Sequence, residues 1–130
     1  MSIEIGLKGR SETVVTEQNT ANAIGSGLVP VFATPYMVAL MENASANSLL
    51  PYLAEDEGTV GTQLNVAHSS ATPIGMKVWA ESTVTAVEGK KITFEVAAYD
   101  EAGEIGRGTH ERFIIKPEKF LAKTQAKLNQ

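Results

Sequence analysis

The strongest constraint on the fold is a two-residue period of apolar side chains that begins near residue 59. In "TVGTQLNVAH", "GMKVWAESTVTAV" and "ITFEVAAY" the even-numbered positions are mostly apolar, which is typical of strands with one buried face. These apolar positions are Val60, Leu64, Val66, Met76, Val78, Ala80, Val84, Ala86, Ile92, Phe94, Val96 and Ala98. Short glycine-containing turns, "EGKK" and "DEAGE", follow the second and third of these strands, and "IGRGTHERFII" is the last strand. The pattern predicts an antiparallel meander of long strands.

A helix is predicted before these strands. Thr34 suits the N-cap, Pro35 suits the first helical position, and Pro51 ends the run by disfavouring helical geometry at Leu50. Residues 36–41 are all apolar, which is typical of a buried helix and not of an amphipathic surface helix. We therefore expect one central, largely buried helix.

The two ends of the chain complete the predicted architecture. "SIEIG" and "SETVVTEQ" are predicted strands, "NTANAIGSGLVPVF" is an irregular connection, and a short helix begins at Pro117. A sheet curled around one helix is the simplest way to bury both, so we predict a single α+β domain over residues 1–130. The sheet would leave edge strands unpaired, which favours a homodimer and leaves higher oligomers open.

Composition limits the classes of partner. The net charge of −4 argues against a nucleic-acid or anionic-membrane partner, because phosphate groups are bound mostly by Lys and Arg. The chain has no cysteine, which excludes thiolate ligands and nucleophiles. The sequence "MSIEIGLKGR" lacks the apolar run of a signal peptide, and no window of 18 apolar residues occurs. We expect a cytoplasmic protein.

One carboxylate stands in the least charged part of the sequence. Between Gln18 and Ala54, Glu42 is the only Asp, Glu, Lys or Arg, although 20% of the chain is charged. In helical register Glu42 shares a face with Val38 and Leu49. Burying an ionised carboxylate without a partner is costly, and perturbed carboxylates concentrate in functional sites. Glu42 is therefore either a residue at the rim of the core or a catalytic group held out of bulk water.

The two histidines allow similar alternatives. His68 continues the apolar face of its strand, so it is either a core residue or a site residue. His110 alternates with Gly106, Gly108 and Arg112 on one face of the last strand. Glycines beside an arginine are unusual on a packed face and indicate room for a ligand, although an exposed strand edge also fits.

Several standard motifs are absent from the sequence. The two histidines are far apart and lack the HExxH spacing, so we expect no metal site. "GSG" and "GEIGRG" lack the strand–loop–helix context of phosphate loops, and no G-x-S-x-G elbow occurs. Acyl transfer by a carboxylate and a histidine stays open, because it requires no fixed local spacing.

Three blocks of the sequence resemble a known family. "VFATPYMVALME", "VGTQLNVAHSSATPIGMKV" and "GRGTHERF" are similar to the hot-dog-fold acyl-CoA thioesterases, in particular the fluoroacetyl-CoA thioesterase subfamily. The similarity covers about residues 30–122, in the same order and with near-identical spacing. It implies a five-stranded antiparallel sheet around one helix, in a homodimer with active sites at the interface. The implied reaction is hydrolysis of a small acyl-CoA to free acid and coenzyme A, without a cofactor other than the coenzyme A of the substrate.

The resemblance also implies roles for individual residues. The family's catalytic threonine, glutamate and histidine fall on Thr34, Glu42 and His68. Glu42 would attack the carbonyl or activate water, His68 would relay protons, and Thr34 would position the nucleophile or attack. The family's strand glycine falls on Gly61, whose neighbouring backbone N–H could meet the oxyanion, and its pocket arginine falls on Arg112. We expect Gly61, Arg112 and His110 to bind the substrate.

The spacing of Thr34 and Glu42 and the loop before the helix bear on these roles. Thr34 and Glu42 are separated by about 12 Å along a regular helix. Either the substrate or a water lies between them, the helix begins irregularly, or two subunits contribute. The fluoroacetyl-specific enzyme has bulky aromatic residues in the loop before the helix, where this chain has "AIGSGLVP", with Gly25 and Leu28 at the aligned positions. The acyl group therefore stays open.

A non-catalytic binding module and a hydratase are the two alternatives to a thioesterase. A non-catalytic acyl-CoA-binding module would use the same pocket, so it remains the alternative. A hot-dog hydratase would place an Asp and a His close together on the helix, and "ENASANSLL" has no histidine.

Overall fold

The protein is an antiparallel sheet of five strands with one long helix across it. The computed structural model describes residues 2–130. In chain order its elements are β1 (Lys8–Val14), α1 (Ala21–Ile24), α2 (Thr34–Leu49), β2 (Gly58–His68), β3 (Lys77–Glu88), β4 (Lys91–Asp100), β5 (Gly103–Ile115) and α3 (Pro117–Gln125), with 3₁₀ turns at Glu17–Asn19, Leu50–Tyr52 and Ala126–Asn129. Within residues 2–130, no helix has the length and apolar character needed to cross a membrane.

The strand order leaves β1 and β2 at the two edges of the sheet. The order is β1-β3-β4-β5-β2, and every neighbouring pair is antiparallel. Helix α2 packs across one face, chiefly against β1 and β3. Its approach to β1 depends on Gly9, because a side chain there would collide with the backbone oxygen of Ala44. The half of this face formed by β5 and β2 is consequently less covered by the chain's own helix.

The core lies between α2 and the sheet, as predicted. Its fully buried side chains include Phe32, Met37, Met41, Leu49, Val78, Ala80, Val84, Ile92, Phe94, Val96, Ala98 and Ile105. The apolar face predicted for β4 is confirmed, and that of β3 is confirmed as far as Val84. The pairing of β3 with β4 shifts register between Val84 and Ala86, so the prediction that Ala86 shares this face is wrong. The helix predicted from Pro117 is also confirmed.

Three local predictions differ from the structure. The N-terminal segment forms one strand instead of two, because the chain turns at Gly6, which has a positive φ of 96°. The connection predicted to be irregular contains the short helix α1. Helix α2 is capped by Ala33, so Thr34 is its first residue and not its N-cap.

A bulge in β2 changes which residues face the helix. The pairing of β2 with β5 shifts register between Gly61 and Gln63, which leaves Thr62 as an extra residue. A bulge of this kind reverses the alternation of side chains. Val60 therefore lies on the opposite face from Leu64, and the prediction that they share a face is wrong. Gly61 takes the inward position instead, toward α2.

Candidate functional site

Thr34 and His68 form one part of the candidate site. Thr34 begins α2, His68 ends β2, and Thr34 Oγ1 lies 2.7 Å from His68 Nδ1. Because Ala33 holds the N-cap position, the Thr34 hydroxyl makes no capping bond and is available to the imidazole. When Nδ1 accepts the hydroxyl proton, the pair has the arrangement of a nucleophile beside its general base.

The surroundings of His68 favour its neutral form. Its Nε2 is buried and, among the residues that the structure describes, has no partner within hydrogen-bond geometry. Burial lowers the pKa of His68, and the backbone of Ser70 partly opposes this shift. A neutral imidazole can accept a proton, which a protonated one cannot.

A small cleft opens beside this pair. Its volume is about 240 Å³, and besides Thr34 and His68 it is lined mostly by small residues: Ala21, Ser26, Val31, Phe32, Ser69, Ser70 and Ala71. The loop before α2 borders the cleft, and Leu28 in that loop is 95% exposed. This cleft can hold a small acyl group next to the Thr34 hydroxyl.

Glu42 and Arg112 form the second part of the site. Glu42 Oε2 lies 3.9 Å from Arg112 Nη1, with the carboxylate side chain 42% exposed and the guanidinium side chain 9% exposed. Glu42 is therefore half-exposed in the single chain, which fits the first of its two predicted alternatives, a residue at the rim of the core. Arg112 supplies the positive charge that a carboxylate on an apolar helix needs.

The position of Arg112 is fixed by hydrogen bonds from both sides. Its Nε donates to Thr59 Oγ1 at 2.9 Å and its Nη2 donates to the Thr59 carbonyl at 3.0 Å. His110 Nδ1 donates to the carbonyl of Gln63 at 2.8 Å, so its Nε2 is free to accept from Arg112 Nη1 at 3.2 Å. Burial lowers the pKa of His110, which keeps the ring in this neutral tautomer.

His110 therefore helps to hold Arg112 in position, and its ring is not exposed to a ligand. It is 1% exposed, and both ring nitrogens are engaged. The space beside Gly106 that the sequence indicated for a ligand is filled by Met37, whose sulfur would meet any side chain at that position. Gly108 is packed against the backbone of β2. The role of these glycines is close packing.

Gly61 lies directly beside the side chains of Glu42, His110 and Arg112. A Cβ atom at this position would lie 3.0 Å from Glu42 Oε2, 3.0 Å from His110 Cε1 and 3.3 Å from Arg112 Nη1. A larger residue at this position would press against the ends of these three side chains, which glycine avoids.

The two parts of the site do not meet within one chain. Gly106 and Arg112, the β5 partners of His68 and Gly61, are six residues apart, which is about 20 Å along a strand. Helix α2 is regular from its first residue, so an irregular start does not shorten the distance from Thr34 to Glu42. Of the sequence-predicted residues, Thr34 and His68 are brought together, and Glu42, Gly61, His110 and Arg112 form a second group.

Sequence reasoning missed Thr59 and Gln63, which hold Arg112 and His110. Neither residue carries a local signal, because both contacts depend on the register of β2 against β5 and on the bulge between them. Among residues 2–130, no group of three or more His, Cys, Asp or Glu side chains is placed to hold a metal ion.

Comparisons with known proteins agree on one family. The family model described as fluoroacetyl-CoA-specific thioesterase matches residues 15–118. The fluoroacetyl-CoA thioesterase of Streptantibioticus cattleyicolor is 46% identical over 97 residues, which is 75% of this chain and 70% of the relative. A solved structure of a fluoroacetyl-CoA thioesterase superposes with a TM-score of 0.93 at 37% identity, covering 98% of both chains. A point mutant of that enzyme in complex with fluoroacetate and CoA superposes with a TM-score of 0.86 at 37% identity, covering 91% of this chain and 99% of the mutant.

Proposed function

The chain belongs to the fluoroacetyl-CoA-specific thioesterase family, and from this membership we propose that it hydrolyses a small acyl-CoA thioester to the free acid and coenzyme A. The observation that carries the proposal is the 2.7 Å contact between the Thr34 hydroxyl and the His68 imidazole. A hydroxyl beside a neutral histidine is a pair that can perform acyl transfer.

The chemistry follows from this pair. His68 Nδ1 takes the hydroxyl proton, Thr34 Oγ1 forms a bond with the thioester carbonyl carbon, and the carbon–sulfur bond breaks. The sulfur of coenzyme A leaves with the proton that His68 returns. Water, activated by the carboxylate of Glu42, then hydrolyses the ester and restores Thr34. A backbone N–H near Gly61 would donate to the oxyanion.

This sequence of steps requires Glu42 near Thr34, and a homodimer supplies that proximity. β2 is an edge strand of eleven residues, and no strand of the described chain pairs with its outer side. Unpaired edges of this length are normally covered, and a second copy of β2 is a matching cover. The exposed side of α2, where Tyr36 is 42% exposed, would be covered by the same contact.

Antiparallel pairing of two β2 strands would bring opposite ends of the strand together. If the two strands pair about a two-fold axis near the middle of β2, then the part of one strand that contains Gly61 lies beside the end that carries the partner subunit's His68. The Glu42 group of one chain would then complete the pair formed by the partner subunit's Thr34 and the partner subunit's His68. Each dimer would hold two such sites, each built from both chains.

The acyl group and the compartment belong to the same proposal. The 240 Å³ cleft and its small lining residues favour a short acyl chain. No aromatic residue occurs in "AIGSGLVP", so we propose no preference for fluoroacetyl over acetyl. A cytoplasmic location is proposed because acyl-CoA thioesters are made and used inside cells.

The test is a hydrolysis screen across acyl-CoAs of increasing chain length, read by release of free thiol. We expect turnover of short acyl-CoAs by the natural chain, a loss of at least about 10² in kcat/KM for Thr34→Ala, and retention of activity by Thr34→Ser, which keeps the hydroxyl. Thr109→Ala, which removes a hydroxyl from an exposed position on β5, is the matched control.

The same screen distinguishes an enzyme from the alternative, a module that only binds acyl-CoA. Binding of acyl-CoAs without any thiol release would contradict the proposed function and indicate a non-catalytic acyl-CoA-binding module. Full activity of Thr34→Ala would retain the thioesterase but remove Thr34 as its nucleophile.

A further inference from the structure

A buried hydrogen bond outside the site described above joins the loop after β2 to the end of β4. Thr72 is fully buried and Asp100 is 5% exposed, and Thr72 Oγ1 donates to Asp100 Oδ2 at 2.7 Å. Residues 69–73, which we call the strap, follow His68 at the end of β2. The bond therefore fixes the strap to the sheet.

The strap connects the two residues of the candidate catalytic pair. It begins next to His68, and the Thr72 carbonyl accepts a hydrogen bond from the Phe32 N–H at 2.9 Å. Phe32 lies two residues before Thr34, whose hydroxyl is 2.7 Å from His68 Nδ1. The strap, the start of α2 and the catalytic contact therefore form a closed ring, and a shift of Thr72 would change the distance between the hydroxyl and the imidazole.

The two ends of the strap are held in different ways. At the end next to His68, the N–H groups of Ser69 and Ser70 both donate to the carbonyl of Ile105 on β5, at 2.7 Å and 3.3 Å. At the other end, the side chain of Thr72 makes the bond to β4. The end of the strap that contacts Phe32 consequently depends on one hydroxyl for its bond to the sheet.

Asp100 has a second oxygen that the neighbouring turn does not use. Its Oδ1 accepts hydrogen bonds from the N–H groups of Ala102 at 2.8 Å and Gly103 at 3.2 Å, which satisfies the turn between β4 and β5. Asp100 forms no ion pair within residues 2–130, and burying a carboxylate without a counter-charge is costly. A neutral asparagine would serve the turn as well. We therefore relate the second oxygen to the strap.

We infer that Thr72 and Asp100 are positioning residues, which hold the strap so that the Thr34 hydroxyl and His68 Nδ1 stay within hydrogen-bond distance. The inference rests on the proposed function, in which this pair attacks the thioester. Neither Thr72 nor Asp100 lines the 240 Å³ cleft, so both act through the pair and not on the substrate. A misplacement of about 1 Å between reacting groups can lower a rate about 10²-fold.

The test removes the hydroxyl of Thr72 and keeps the shape of the side chain. Thr72→Val should lower kcat for a short acyl-CoA at least about tenfold and change KM less than about twofold, because the pair is displaced and the cleft is not. Thr72→Ser, which keeps the hydroxyl, should retain kcat within about threefold. Thr72→Ala is assayed in parallel, because it removes the same hydroxyl without placing a methyl group against the carboxylate.

The matched control removes a hydroxyl whose hydrogen bond has the same length. Ser48 Oγ donates to the Ser45 carbonyl at 2.7 Å, on the side of α2 that approaches Gly9 of β1. Ser48→Ala should leave kcat per folded molecule unchanged, whatever its effect on Tm. A tenfold loss of kcat in this control would overturn the inference, since general damage would then explain the result. Full kcat in both Thr72→Val and Thr72→Ala would also overturn it.

A measurement that needs no turnover distinguishes failure of this inference from failure of the proposed function. The chain has two histidines, so the ¹⁵N NMR signal of His68 Nδ1 is assigned by comparison with His68→Ala. A shifted His68 signal in Thr72→Val, in a chain that hydrolyses no acyl-CoA, would support the positioning role and contradict the enzyme. Normal hydrolysis by the natural chain, with kcat and the His68 signal unchanged in both Thr72→Val and Thr72→Ala, would contradict the positioning role alone.

Discussion

Replacing Glu42 by glutamine removes one negative charge and keeps the shape of the side chain. In the proposed site the carboxylate activates the water that releases the acid, and an amide cannot take up that proton. We therefore expect kcat to fall by at least about 10². Arg112 keeps its hydrogen bonds to Thr59 and His110, so the remaining groups of the site stay in place.

The structure also sets the expected change in stability. The charges of Glu42 and Arg112 are 3.9 Å apart, and the Glu42 side chain is 42% exposed. A pair of this exposure contributes about 1 kcal/mol or less. For a chain of this size, that amount lowers Tm by about 4 °C at most. A purely structural carboxylate that neutralises a buried arginine would cost about 3 kcal/mol, or about 12 °C.

The assay measures thiol release per folded molecule together with thermal unfolding of the same preparation. Glu81→Gln, which removes the same charge from an exposed position on β3, is the control for net charge. A Glu42→Gln protein that unfolds about 12 °C lower yet retains full activity would refute the catalytic assignment. Loss of activity with nearly unchanged Tm is the expected result.

Three further predictions concern the rest of the site. Burial lowers the pKa of His68 below its ordinary 6.5, so the neutral base persists to lower pH and kcat/KM should decline only below pH 6.5. His68→Ala should lower kcat/KM by about 10² to 10⁴. A decline of the pH profile centred above pH 6.5 would contradict this role of His68. Gly61→Ala places a methyl group 3.0 Å from Glu42 Oε2 and should reduce kcat/KM by about 10², while Gly58→Ala on the same strand should remain active; equal activity of the two variants would contradict the role of Gly61. Light scattering at micromolar concentration should give the mass of a dimer, and a mass of 13.9 kDa would contradict the shared site.

The same shift in pKa has a consequence for stability. The unfolded chain takes up a proton on His68 near the ordinary pKa of 6.5, whereas the folded chain does so at lower pH. The unfolded state therefore binds more protons in this window, and the free energy of unfolding should decrease as the pH falls below about 6.5. His110 has the same direction of shift and adds to the effect.

The sequence predicted those parts of the fold that depend on unbroken periodicity. The buried faces of β3 and β4 follow directly from the alternation at Val78, Ala80, Phe94 and Val96, and α2 follows from its prolines and its apolar run. The alternation predicted for β2 is wrong, because β2 has an extra residue at Thr62. Thr62 lies in a polar stretch, so the pattern of apolar residues does not reveal it.

The sequence named the residues of the candidate site but not the contacts between them. Thr34 and His68 are 34 positions apart, and their contact depends on how the start of α2 docks against the end of β2. The network of His110, Arg112 and Thr59 likewise depends on strand register, which no local motif encodes. The resemblance to a family supplied the candidate catalytic residues, whereas the division of the candidate site into two distant groups required the structure.

The most direct test of the shared site is a heterodimer of two inactive chains. One chain carries His68→Ala and the other carries Glu42→Gln, each with a different affinity tag, and the mixed dimer is purified through both tags. If each site uses His68 from one chain and Glu42 from the other, one of the two sites contains both mutations and the other contains neither. The heterodimer should then recover about half of the natural activity, although each parent homodimer is inactive. If each site lies within a single chain, both sites of the heterodimer are damaged, and a heterodimer without activity would contradict the account.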